Sequence, residues 1–187
     1  MALWRSGYAL DCKSSYPGSI PGGASTFFGK LMFEEAIRDI KSSSQDSSVY
    51  IGTDSFRFRC PRTGSWKARY ATVVVLHRDS SRGCRVYDNK IILPDTRDSG
   101  LDEDKGSRIA RLLKEVELTI ACALDIVPHC GERHVEIHLD VNPDPKHGSY
   151  IALNSAVGWV LGSLNIEPKV KNEAWAATHA ADHLCRR

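Results

Sequence analysis

The sequence predicts an α/β fold around one mixed sheet, and three observations carry that expectation. Strand-like runs rich in Val, Ile, Tyr and Thr occur at 49–55, 69–77, 84–93, 134–141 and, more briefly, 165–171. The first three follow one another through the turn-rich stretches 60–65 and 79–83, which makes an antiparallel meander. The last two alternate with helical segments at about 107–127, after Ser149, and at about 173–184. The sheet should therefore have five strands, three antiparallel and then two parallel.

A chain of 187 residues, 42% hydrophobic and 26% charged, is enough for one domain with a sizeable core. Its net charge of +2 exerts no global pull on nucleic acid or membrane, so such a partner must be met by a local patch. No apolar run approaches the roughly 20 residues of a membrane span, and the first residues lack the apolar core of a secretory signal. A cytoplasmic protein without a membrane partner is expected. Six cysteines without a Cys-x-x-Cys pair are too sparse for a disulfide framework and read as free thiols. Residues 11–26 are rich in Ser, Gly and Pro, so 1–26 should be a flexible arm and 27–187 the domain.

Taken in order, Phe33, Ala36, Ile37 and Ile40 carry the period of an amphipathic helix that stops in Ser42–Ser44. The first strand ends at Asp54, and residues 94–106 form a polar, acid-rich loop. Ile109, Leu112, Leu113, Val116, Ile120, Leu124 and Val127 then make one apolar stripe on a long helix. Pro143 and Pro145 stop the strand that ends at Asp140, and Ser149 is placed to cap a helix with Leu153, Val157, Val160 and Leu164 facing inward. The last helix is rich in alanine.

Asp54 and Asp140 each close a strand-like run, where a buried acid is costly without a partner. Either could simply bond a local turn, as Asp54 could through Ser55. If the first and fourth strands lie side by side, however, the two carboxylates face each other and call for a cation, with Mg2+ or Mn2+ the natural choice for oxygen ligands. A third acid could come from the long helix, where Glu115 and Glu117 compete. Glu117 lies nearer the edge of the apolar stripe and is favoured; the alternative for either is an exposed pair with Arg111 or Lys114. His179, Asp182 and His183 share one face of the last helix, either against the sheet or at an exposed helix end.

The hairpin 56–70 carries Arg57, Arg59, Arg62, Lys67 and Arg69 without an acid, interleaved with Phe56, Phe58, Trp66 and Tyr70. Such a surface can neutralise phosphates and stack on bases, or its aromatics can merely pack on the core. Cys130, His134 and His138 suggest zinc, but strand residues four apart stand roughly 13 Å from one another, too far for one tetrahedral ion. Neither a P-loop nor a Gly-x-Ser-x-Gly elbow occurs.

Ile51-Gly52-Thr53-Asp54-Ser55, residues 111–117 and residues 136–146 resemble the YkuK-like family of the ribonuclease H-like superfamily, from about residue 27 onward. Phe56 departs from that family's pattern, in which Gln commonly follows the Asp-Ser pair. The resemblance implies a ribonuclease H-like fold with helices on both sheet faces, and a two-metal nuclease with Mg2+ or Mn2+. In ribonuclease H itself the helix glutamate precedes Leu and small apolar residues; Glu117-Leu118-Thr119-Ile120-Ala121 is similar and again favours Glu117. His179-x-x-Asp182 is similar to the ending of RuvC-type resolvases, which act as dimers, so a homodimer is an open expectation. On this resemblance Asp54 bridges the ions, Asp140 and Glu117 complete one side, Asp182 the other, and His179 or His183 moves a proton. The competing expectation is a ribonuclease H-like scaffold that binds nucleic acid or protein without cutting.

Overall fold

Val73, Val74 and Val75 are fully buried, as only a strand covered on both faces can be. They lie in the second strand of a four-stranded sheet in a computed structural model that describes residues 33–95 and 106–187. The strands are β1 (Ser48–Arg59), β2 (Trp66–His77), β3 (Cys84–Pro94) and β4 (His134–Leu139), in the order β3-β2-β1-β4. β1 runs antiparallel to β2 and β2 to β3, whereas β4 is parallel to β1. The helices are α1 (Glu34–Ser42), α2 (Gly106–Ile126), α3 (Leu153–Leu164) and, last, a π-helical turn (Ala176–Ala181) running into the short α4 (Asp182–Cys185). The expected arm and most of the expected acid-rich loop lie outside the described residues.

The predicted fifth strand is a correction. Residues 165–171 pair with β4 through a single parallel bridge, His138 with Lys169. Lys169 donates its N–H to the Ile137 carbonyl at 2.8 Å and accepts from Leu139 at 2.9 Å. Pro168, which has no N–H, suits only a sheet edge, and the turn that begins at Lys171 carries the chain away after one bridge.

Helices cover both faces. On one, Ile40 of α1, Val116, Ile120 and Ala123 of α2 and Val160 of α3 pack on Val49, Ile51, Ile137 and Leu139. Leu124, expected in the α2 stripe, is 53% exposed, and its neighbour Ala123 faces the sheet instead. On the other face, Ala176 and Ala181 pack on Val73 and Val75, with Tyr50, Trp175 and Leu184 around them. Ser149 does not cap a helix through its side chain; its hydroxyl accepts the Asn142 N–H at 3.0 Å. Among the described residues no helix is long and apolar enough to cross a membrane.

Candidate metal centre

Side chains alternate along β1, and the alternation sorts its polar residues between the two helical layers. Thr53 and Ser55 turn toward α2: Thr119 Oγ1 is 2.9 Å from Thr53 Oγ1, and Ser55 Oγ donates to Glu115 Oε1 at 2.6 Å. Tyr50, Gly52 and Asp54 turn toward the last helix. Parallel pairing between β1 and β4 ends at Thr53 with Leu139, so Asp54 and Asp140 are the next residues on adjacent chains. Because β4 stops there, β1 keeps β2 on one side but has no strand on its β4 side from Asp54 onward. Acids from both layers can approach through that gap.

Glu115 and Asp54 are both buried. Burial pushes the Asp54 carboxyl up to about 7, and the charges of Asp140 and Asp182 add to the effect. The Glu115 carboxyl is raised by burial first and by Asp54 second, while Arg111, 3.6 Å away, pulls it back. Arg111 Nη1 also donates to Ser55 Oγ at 2.6 Å and to the Ser55 carbonyl at 3.2 Å, tying the end of this strand face to α2. Asp182 comes from the opposite layer. A carboxylate oxygen of Asp54, one of Asp182 and the sulfur of Cys185 lie within 4.8 Å of one another.

The last helix reaches Asp54 because the sheet lets it come close. A Cβ on Gly52 would stand 2.9 Å from the Ala177 nitrogen and 3.0 Å from the Ala177 Cβ, so no larger residue fits without moving the helix. Beside Gly52, His138 is wholly buried and accepts the Ala176 N–H on Nδ1 at 3.0 Å. At the other end, Arg69 Nη1 donates to the Cys185 carbonyl at 3.3 Å.

A family model described as Ribonuclease H-like matches residues 31–186. The chain belongs to the ribonuclease H-like family. No curated protein and no solved structure matches it. Membership points to a nuclease or a nucleic-acid-binding protein.

In this ribonuclease H-like chain, Asp54 and Asp182 of the four expected acids bring carboxylate oxygens within 4.8 Å of each other, and Asp140 lies near enough for its charge to raise the Asp54 carboxyl. Glu117 is not among them: it is partly exposed and takes the Lys114 ammonium at 2.8 Å. The helix acid facing Ser55 and Asp54 is Glu115. Helical spacing turns Glu115 farther from the apolar stripe than Glu117 and so toward solvent, yet the Ser55 hydroxyl and the Arg111 guanidinium supply the partners that offset the cost of burying it. Ser55 directly after Asp54, and Arg111 four residues before Glu115, were the available signals. His179 also stays outside the cluster. It follows Ala177, which lies against Gly52, by two residues and so faces outward, exposed, as does His183.

The hairpin is largely committed to local contacts. Arg57 pairs with Asp95, Arg59 Nε donates to the Gly64 carbonyl at 2.8 Å, and Arg69 lies 5.5 Å from the centre of the Phe58 ring. Arg186 lies 5.3 Å from the Phe56 ring centre while holding Asp182 at 2.6 Å. Arg62 is exposed and Lys67 half-buried.

The donor set fits a hard divalent cation. Asp140 Oδ1 is buried and accepts no hydrogen bond, with Lys171 Nζ 3.3 Å away. Carboxylate oxygens dominate the cluster, and the Cys185 thiol is pushed up to about 12 by burial and by Asp54 and Asp182. The two carboxylates outnumber the single sulfur, and oxygen donors suit a hard cation such as Mg2+ or Mn2+.

Proposed function

We propose that the protein is a divalent-metal-dependent nuclease that hydrolyses phosphodiester bonds, with Asp54, Glu115, Asp140 and Asp182 holding Mg2+ or Mn2+. The observation that carries this is Asp54: a buried carboxylate beside two more acids, in a position that costs the fold unless a cation is present. A bound pair of ions supplies an activated water and charge stabilisation at phosphorus. The chain's own part is positional. Asp54 and Asp140 are fixed by the sheet, Glu115 is oriented by Ser55, and Asp182 is set by the close approach of the last helix. Arg111 keeps part of the negative charge balanced at the edge of the cluster. Arg62 and Lys67 would meet the substrate's phosphates.

The test is cleavage of single-stranded RNA and DNA, duplexes, RNA–DNA hybrid and four-way junctions with Mg2+, Mn2+ or chelator. Metal-dependent cutting that is lost in Asp140→Asn is expected. Glu115→Gln should weaken metal binding roughly 10–100-fold, whereas Glu117→Gln should cut and bind as the wild type does. Equal loss in both glutamate variants would return the helix ligand to an open question and sink the assignment to Glu115.

One observation favours a second reading, a binding scaffold that does not cut. Lys171 and Arg186 already stand against Asp140 and Asp182 and could neutralise the cluster in place of ions. Substrate binding that is indifferent to metal, with no cleavage of any substrate, would establish it.

A further inference from the structure

We infer that His138 is a positioning residue for Asp182: it pins the start of the last helix to the sheet and thereby sets where that acid stands beside Asp54. The inference rests on the metal-site reading only in giving Asp182 a ligand's task. Helix starts present N–H groups with no partner inside the helix. Ala176 opens the π-helical turn, is wholly buried, and has its N–H satisfied by His138 Nδ1 at 3.0 Å.

The surroundings fix the imidazole in the state this bond requires. A backbone N–H can only donate, so Nδ1 carries no proton and the ring proton sits on Nε2. Nε2 then donates to Glu136 Oε2 at 2.9 Å, and the other Glu136 oxygen lies 2.8 Å from His134 Nε2. Tyr50 and Trp175 enclose the ring, with centroids 5.5 and 5.7 Å from it. Glu136 and His138 share the strand face that carries this load, and Gly52, the cross-strand neighbour of His138, receives Ala177 one residue further on. Two successive helix residues are therefore registered on the sheet. The single helical run from Ala176 to Cys185 carries that register to Asp182.

The test compares His138→Leu, which removes the acceptor, with His138→Asn, whose side-chain oxygen can take the place of Nδ1. Amide hydrogen exchange reads the docking of Ala176–Cys185, and electron paramagnetic resonance of free Mn2+ reads the ion site. In the Leu variant, protection of the last helix should fall while that of β2 persists, and Mn2+ affinity should drop about tenfold or more. The Asn variant should restore both toward wild type. Undiminished helix protection in the Leu variant, or an Asn variant as impaired as Leu, overturns the inference. If wild-type protein binds no Mn2+, the metal-site reading is lost and the exchange result alone decides the pin. If the Leu variant does not fold, scalar coupling between the Ala176 amide nitrogen and His138 Nδ1 in labelled wild type decides it: its presence supports the pin, its absence overturns it.

Discussion

Asp54→Asn is expected to raise the melting temperature of the metal-free protein near pH 8 and to abolish the further rise that Mg2+ or Mn2+ gives the wild type. The cause is the carboxyl's displacement from an ordinary 3.8 to about 7 by burial among acids. At pH below its ordinary value of 3.8 the group is protonated in both states and costs nothing. Between about 3.8 and about 7 the unfolded chain gives up the proton while the folded state keeps it, so the penalty grows across that window and is complete above about 7. The penalty is on the order of a few kcal/mol, at about 1.4 kcal/mol per unit of displacement. For a chain of this size it corresponds to a melting shift of roughly 9–18 °C. Metal-free wild type should therefore gain stability as pH falls from 8 toward 5, and the Asn variant should lose that part of the slope. Thermal melts across pH, with chelator and with each ion, measure both effects. A variant that melts lower without metal and still responds fully to the ion would contradict the placement of Asp54 at the cation.

Gly52→Ala should separate Asp182 from Asp54 without touching either. The added methyl would sit 2.9 Å from the Ala177 nitrogen and 3.1 Å from the His138 carbonyl, both backbone atoms that cannot rotate away. The last helix must move outward, at a cost of about 1–3 kcal/mol for overpacking. Because Asp182 rides on that helix, cutting should fall roughly a hundredfold, in keeping with how steeply catalysis depends on ångström-scale placement. Urea melts, Mn2+ titration and single-turnover cleavage together test this. Full cleavage in a folded Gly52→Ala protein would show that the close approach serves packing alone.

The order of elements was legible because each long strand and helix has its own period: Val73–Val75 and the Ile51 strand are β-branched runs, and α2 has inward residues at 112, 116, 120 and 123. Asp54 and Asp140 were legible as lone acids closing such runs. What periodicity could not resolve was any position where tertiary partners reverse the local cost. Glu115 is buried because Ser55 and Arg111, distant or on another turn, satisfy it. His179 and Asp182, on one face at α-helical spacing, part company once the turn before Asp182 becomes π-helical. The basic hairpin looked like a phosphate surface, but Arg57 and Arg69 are engaged by Asp95 and the Cys185 carbonyl, pairings that no local window contains.

Glu115 reaches Ser55 from the α2 layer and Asp182 reaches Asp54 from the opposite one, with Asp54 in the sheet between and Asp140 just past the end of β4. An ion held by all four would act as a staple driven through the sheet. Any partly opened state, with either layer lifted, lacks one arm of the staple and binds the ion more weakly, so the ion selects against opening on both sides at once. Its addition should slow local opening of α2 and of the last helix together. Two layers on opposite faces of one sheet would then breathe as one.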